Sequence, residues 1–118
     1  MMTQWVDICS VDDLQPHAGV CALVADQRQV AVFYQPNKAA VYAVSNYDPI
    51  GRANVLSRGL IGDIKGQPMV ASPLYKQHFN LETGVCLEDE KVGITVYGVR
   101  IEDGRVRIGL PAESDNEL

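Results

Sequence analysis

The thiol groups of three cysteines are the first side chains in this sequence that could do chemistry. Cys9, Cys21 and Cys86 are odd in number, and no two of them form a C-x-x-C pair. A disulfide framework needs pairs, and a zinc or iron–sulfur site needs clustered thiolates. The spacing therefore argues against both kinds of site. Cys21 lies in the apolar run GVCALVA and is predicted to be a buried structural thiol, whereas Cys86 follows a turn and is predicted to be exposed.

The two histidines also stand without metal-ligand or catalytic partners in the sequence. His17 lies in a predicted turn, and His78 directly precedes Phe79. If Phe79 points into the core from a strand, alternation directs His78 towards solvent. No Ser/His/Asp set is suggested by spacing, and the stretch GLIGDIKG lacks the Ser or Thr that follows the lysine of a phosphate loop. We therefore expect no catalytic residues and no metal ligands in this chain.

Short segments of β-type sequence, separated by turn signals, must position whatever site the chain has. TQWVDIC is followed by a predicted hairpin of VCALVAD and QVAVFYQ, and then by AVYAVSN. Further on, GLIGDIKGQPMVASP indicates two strands about Lys65-Gly66, and GITVYGVRIEDGRVRIGL indicates a hairpin about Asp103-Gly104. The stretch 46–58 is irregular, and Val11–Leu14 is the one predicted helical turn. This pattern predicts an all-β sandwich or barrel.

Composition and charge set the class of protein. The 118 residues suffice for one domain, with 47% hydrophobic and 21% charged residues. We expect a folded domain over residues 1–110 and a disordered acidic tail over 111–118, because PAESDNEL holds three acids and no base. The net charge of −5, without a basic stripe, disfavours nucleic-acid binding. No apolar run is long enough to span a membrane, and no secretory signal is recognisable, so a cytoplasmic location is predicted.

Two proline-containing loops give the chain a resemblance to the Rieske ferredoxin family. The stretches AVSNYDPIG, VLSRG and VASPLYKQHFNLETG, followed by the Asp-Gly hairpin, match the order of elements in that family between residues 29 and 108. The resemblance implies a Rieske-type antiparallel β-sandwich or barrel, with two loops that form a cluster-binding tip. In Rieske proteins two cysteines and two histidines from these loops hold a [2Fe–2S] cluster.

The resemblance places other residue types at all four ligand positions. These positions are occupied by Asp48, Ile50, Ser72 and Tyr75. A carboxylate, an aliphatic chain, a hydroxyl and a phenol do not supply two thiolates and two imidazoles. Both loop prolines, Pro49 and Pro73, are nevertheless retained. The resemblance therefore implies a cluster-binding scaffold that carries no metal and no cofactor of its own.

Within this family, SNYDPI, VLSRGLI and VASPLYKQHF are similar to the ligand-free small subunits of assimilatory NADH-dependent nitrite reductases. That resemblance implies a cytoplasmic bacterial subunit without catalytic residues. It also implies a large partner subunit that carries FAD, a [4Fe–4S] cluster and sirohaem, and that reduces nitrite to ammonium with NADH. Two alternatives stay open: a Rieske-fold interaction module unconnected with nitrite, and a [2Fe–2S] electron-transfer ferredoxin, against which the missing ligands count.

The residues at the emptied ligand positions have two possible roles. They fill the space of the cluster, with the Asp48 carboxylate accepting hydrogen bonds from loop N–H groups and from Ser72. Alternatively, Tyr47, Ile50 and Tyr75 form an aromatic and apolar patch that binds the partner, because such groups are common at interface hot spots. The two roles are compatible, and we predict both.

Overall fold

A computed structural model describes residues 3–16, 18–24, 28–35, 40–74 and 76–111 of the chain. Its secondary structure is almost entirely β. The strands are β1 (Thr3–Ser10), β2 (Gly19–Val24), β3 (Arg28–Gln35), β4 (Ala40–Ser45), β5 (Tyr47–Asp48), β6 (Ala53–Asn54), β7 (Leu60–Ile64), β8 (Gln67–Ala71), β9 (His78–Asn80), β10 (Val96–Glu102) and β11 (Arg105–Pro111). Two 3₁₀ helices, Val11–Asp13 and Leu56–Arg58, complete the described elements.

The strands form one large sheet and two small ones. The large sheet has six strands in the order β1-β11-β10-β4-β3-β2, and its pairs are antiparallel. β7, β8 and β9 form a three-stranded sheet, and β5 pairs with β6. The predicted antiparallel all-β fold is confirmed.

Alternation along β3 gives the domain two hydrophobic cores. Val30 and Val32 point to a first core within the large sheet, whereas Ala31 and Phe33 point to a second core. The second core joins the large sheet to the three-stranded sheet through its buried members Ala31, Phe33, Val44, Leu56, Val70, Phe79, Leu81 and Cys86. β3 is therefore buried on both faces, and the small sheet that carries one loop of the tip is fixed to the large sheet by shared packing.

The two predicted dipeptide turns are present. Lys65 and Gly66 connect β7 to β8 with φ angles of 53° and 85°, and Asp103 and Gly104 connect β10 to β11 with φ angles of 53° and 76°. Positive φ at both central residues is typical of type I′ hairpins, whose twist matches that of the strands. The predicted helical turn is also confirmed, because Ser10 caps the 3₁₀ helix Val11–Asp13 in a capping box with Asp13.

The thiols contradict both burial predictions. Cys21 is exposed, because it lies on β2, the edge strand of the large sheet, and points away from the cores. Cys86 is buried, because it pairs with Phe79 in an isolated bridge and packs in the second core. Loss of hydration around the sulfur, partial for Cys21, raises the pKa of both thiols above the ordinary value. Within the described residues no helix is long and apolar enough to cross a membrane.

Candidate functional site: the two-loop tip

Two loops that leave neighbouring parts of the second core form the tip. The first loop (residues 46–59) connects β4 to β7, and the second loop (residues 72–77) connects β8 to β9. Asn46 anchors the first loop. Its side chain is buried, its Oδ1 accepts a hydrogen bond from the backbone N–H of Ser57 at 2.6 Å, and its Nδ2 donates to Gln29 at 2.9 Å. The sequence showed an Asn at this strand end but gave no sign of this anchoring role.

The side chains of Asp48 and Ser72 each organise the loop that follows them. Asp48 Oδ1 accepts hydrogen bonds from the backbone N–H groups of Ile50 at 2.8 Å and Gly51 at 3.0 Å. Ser72 Oγ accepts one from the N–H of Leu74 at 3.2 Å. Both are side-chain-to-backbone turns, which aspartate and serine favour ahead of a proline-containing loop.

The same two residues close each loop through their carbonyl oxygens. The N–H of Arg52 donates to the carbonyl of Asp48 at 2.6 Å, and the N–H of Lys76 donates to the carbonyl of Ser72 at 3.1 Å. Arg52 and Lys76 have left-handed backbone angles, with φ of 60° and 66°. The two loops therefore have a common construction, in which the fifth residue is a cation in a conformation that favours glycine.

A buried hydrogen bond joins the two loops. The Ser72 hydroxyl donates to Asp48 Oδ2, and both side chains are fully buried. The carboxylate of Asp48 thereby accepts three hydrogen bonds, two from its own loop and one from the second loop. Multiple hydrogen bonds offset the cost of burying a carboxylate. The structure thus brings Asp48 and Ser72 together in the arrangement that the sequence predicted.

The apolar residues of the tip differ in their exposure. Tyr47 is 43% exposed and Leu74 is 45% exposed. Ile50 is only partly exposed, because it packs against the second core. Ile50 therefore lies near the surface of the tip, while part of its side chain contacts the second core. Tyr75, predicted to form a partner-binding patch with Tyr47 and Ile50, lies outside the described residues. Leu74 is a further exposed apolar residue of the tip, which no sequence pattern singled out.

The donor atoms of the tip do not fit a [2Fe–2S] cluster. The two buried side chains that face each other offer a carboxylate and a hydroxyl, and they are hydrogen-bonded to each other. Ile50 offers no donor atom. The described residues also contain no group of three or more His, Cys, Asp or Glu side chains that could hold a metal. A Rieske cluster requires thiolates on one iron and imidazoles on the other.

His78 makes a separate contact at the edge of the small sheet. Its backbone N–H donates to Glu88 Oε1 at 2.8 Å, and its ring Nδ1 lies 2.7 Å from Glu88 Oε2. Burial opposes ionisation of Glu88, but the hydrogen bonds from His78 prevail and lower the pKa of this carboxyl. As predicted, Phe79 points inward and His78 outward. His78 has a hydrogen-bonded partner, however, and so it is a structural residue rather than a free surface histidine.

Comparisons with known proteins agree with this geometry. Residues 4–109 match the family described as a Rieske-like [2Fe-2S] domain. The chain is 49% identical over 107 residues to a nitrite reductase (NADH) small subunit from Escherichia coli, covering 91% of this chain and 98% of the relative. It is similar to the crystal structure of an NADH-dependent nitrite reductase small subunit from Mycobacterium tuberculosis, with a TM-score of 0.89, 40% identity, and coverage of 94% of this chain and 98% of that one.

A large subunit also contains a similar segment. Over 105 residues the chain is 40% identical to the nitrite reductase [NAD(P)H] large subunit of Klebsiella oxytoca, covering 89% of this chain and 11% of that protein. A Rieske-like sequence of this length therefore occurs both as a separate chain and within a much longer one. With its fold, its tip and these similarities together, the chain belongs to the Rieske-like [2Fe-2S] domain family and, within it, to the nitrite reductase (NADH) small subunits.

Proposed function

We propose that this chain works as the small, non-catalytic subunit of a cytoplasmic NADH-dependent nitrite reductase. In this proposal the large subunit carries FAD, a [4Fe–4S] cluster and sirohaem, and reduces nitrite to ammonium. The small subunit binds no cofactor of its own. The observation that carries the proposal is the 49% identity to a small subunit over 98% of that relative's length.

The relative with the longer chain supports association with a large subunit. In the Klebsiella oxytoca protein a similar segment shares one polypeptide with the rest of the large subunit. Covalent linkage holds two modules at a high effective concentration. When the same modules are separate chains, a specific interface must replace the linker, and we infer that this chain has one.

The tip supports a structural role rather than electron transfer. The Asp48–Ser72 hydrogen bond ties the two loops at the place where the family resemblance puts the cluster. A protein that transfers electrons through this fold needs the cluster as its redox centre. The donor atoms at the tip favour a structural role, in which the two loops form a surface for contact. They count against an electron-transfer ferredoxin.

We further propose that the tip contacts the large subunit around Tyr47, Ile50 and Tyr75. The exposure of Tyr47 supports this assignment, because tyrosines are enriched at interface hot spots. Ile50 contributes by supporting the loop from beneath, since it packs against the second core. The apolar contact area that the proposal requires is completed by the exposed side chain of Leu74.

The test is nitrite-dependent oxidation of NADH by the purified large subunit, with and without this chain. We expect the chain alone to oxidise no NADH and the mixture to exceed the large subunit alone. Co-elution of the two chains in gel filtration provides the binding measurement. Equal activity with and without the chain, together with separate elution, would refute the proposal and favour an interaction module unconnected with nitrite.

A further inference from the structure

The exposed charges of the tip are all positive. Arg52, Arg58 and Lys76 are the exposed charged residues of the two loops, whose single acidic residue, Asp48, is buried. Fourteen of the chain's fifteen acidic residues lie elsewhere, with only seven of its ten basic residues. The tip is therefore a basic region on a chain whose net charge is −5.

These three cations are also without ion-pair partners in the part of the chain that the structure describes. The arginines of the large sheet are different. Arg105 binds Asp7 through two nitrogens, and Arg100 and Arg107 lie 3.9 Å and 3.7 Å from Glu102. Charges that stabilise this fold are thus neutralised within it, whereas the charges of the tip remain available to another molecule.

The backbone holds two of the cations in unusual conformations. Arg52 and Lys76 have φ angles of 60° and 66°, where glycine would be the favoured residue. Lys65 and Asp103 have similar angles in hairpin turns, so the conformation alone does not mark a functional site. That both loops use a cation at the equivalent position favours a role for the charges themselves.

A groove lies between Arg58 and Lys76. It has a volume of about 150 Å³ and is lined by these two residues and by Gly59, Leu60, Ala71, Ser72 and Pro73. Pockets that hold cofactors or drug-sized ligands have volumes of roughly 300–1,000 Å³, so this groove suits one or two side chains. Leu60 borders it and is 78% exposed. The groove thus combines a mainly apolar lining with two cations that have no ion-pair partner among the described residues, and we name it the cationic groove.

We propose that the cationic groove binds a carboxylate-bearing segment of the large subunit. This inference rests on the proposed function and specifies the surface and the chemistry of the contact. An aspartate or glutamate between the two cations gains charge-assisted hydrogen bonds, while a neighbouring apolar side chain covers Leu60. Opposite charges across an interface also accelerate encounter and fix its orientation.

The experiment measures association of the full chain with the purified large subunit at low and at physiological salt. The double variant Arg58→Glu, Lys76→Glu is expected to bind at least tenfold more weakly than the wild type. Lys65→Glu is the matched control, because Lys65 is also an exposed lysine with positive φ but lies in the β7–β8 turn, at the other end of β7 from Leu60. The control is expected to bind within twofold of the wild type. Wild-type binding should weaken as salt rises.

The outcomes separate this inference from the proposed function. If the wild type does not bind the large subunit, the proposed function and this inference both fail. If the wild type binds and the double variant binds equally well, only the cationic groove is refuted. If reversal of both charges impairs folding, as judged by circular dichroism, the neutral pair Arg58→Gln, Lys76→Gln provides the same comparison.

Titration of the chain with sodium nitrite and sodium phosphate is a further experiment. Saturable anion binding that the double variant loses, with association with the large subunit unchanged, would make the groove a small-anion site and overturn the inference.

Discussion

Ser72 donates its hydroxyl hydrogen to the carboxylate of Asp48, and this hydrogen bond joins the two loops of the tip in the interior of the protein. The same carboxylate accepts the N–H groups of Ile50 and Gly51. A single buried side chain therefore orders its own loop and connects it to the other. In the Rieske proteins that the chain resembles, a metal cluster joins the two loops. In this chain hydrogen bonds join them.

Replacement of Asp48 should destabilise the domain. Asp48→Ala leaves two backbone N–H groups and the Ser72 hydroxyl without their acceptor, and unsatisfied buried groups should lower the free energy of unfolding by about 1–3 kcal/mol. Asp48→Asn keeps one carbonyl oxygen for the backbone N–H groups, so a smaller loss is expected. Urea unfolding measures both variants. Glu90→Ala, a change at an exposed position, should stay within about 0.5 kcal/mol, and an equal effect of all three changes would contradict this account.

The donor atoms of the tip lead to a second prediction. Chain expressed with ample iron should contain neither stoichiometric iron nor acid-labile sulfide, and it should show no visible absorbance. The reason is that a carboxylate, a hydroxyl and an aliphatic side chain do not replace the thiolates and imidazoles of a Rieske site. A Rieske ferredoxin prepared in the same way is the positive control. Stoichiometric iron and sulfide in this chain would refute the conclusion that its tip binds no cluster.

Local signals made part of this fold predictable from the sequence. Gly66, Asp103 and Gly104 belong to residue types that readily adopt the positive φ angles of these turns, so both hairpins could be located. The Asp48–Ser72 contact could be anticipated because both residues precede prolines in loops that the resemblance places side by side. The hairpin turns were specified by residues within the turns, and the Asp48–Ser72 contact by a known arrangement of loops.

Burial that depends on distant strands could not be predicted in this way. Cys21 lies in an apolar run, yet its strand is an edge of the large sheet. Cys86 follows a turn, yet it pairs with Phe79 and packs in the second core. Strand order in the sheet decides both outcomes, and the residues around each cysteine do not encode that order. The same limit applies to Ile50, whose contact with the second core depends on how the first loop folds back.

The two thiols should therefore differ in reactivity. Cys21 should react with a disulfide reagent in the native protein, although slowly, because burial raises the pKa of its thiol and only the thiolate attacks. Cys86 should react only after denaturation, since its side chain is buried. Cys21→Ser should lower by one the number of thiols that react in the native protein. It should also lower by one the number that react in denaturant. Rapid native labelling of Cys86, identified by peptide mapping, would contradict the packing of the second core.

Two glycines close together in sequence should respond in opposite ways to the same substitution. A Cβ at Gly59 would overlap the carbonyl oxygen of Ala71 and lie 2.9 Å from Val70 Cγ2, whereas a Cβ at Gly62 meets no atom within 4 Å. Because a backbone oxygen moves only with its strand, Gly59→Ala should destabilise the domain by about 1–3 kcal/mol. Gly62→Ala should be neutral or stabilise by up to about 1 kcal/mol, because alanine restricts the unfolded chain. Urea unfolding of the two variants decides, and equal effects would show that β7 and β8 approach less closely than described.

The His78–Glu88 pair should give stability that depends on acid pH. Burial opposes ionisation of Glu88, but hydrogen bonds from His78 lower the pKa of this carboxyl in the folded state below its ordinary value of 4.5. A carboxyl with a lowered folded-state pKa contributes stability that is fully present above its unfolded pKa and is lost as pH falls through the folded value. The pair is largely exposed, so the contribution should be below about 1 kcal/mol.

Glu88→Gln should accordingly be less stable than the wild type near neutral pH, and the difference should shrink as pH falls below about 4.5. Urea unfolding between pH 3 and pH 7 measures this, with Glu90→Gln as a nearby control whose curve should follow the wild type. A difference that stays constant over the whole range would mean that the contact of Glu88 with His78 acts through packing rather than charge.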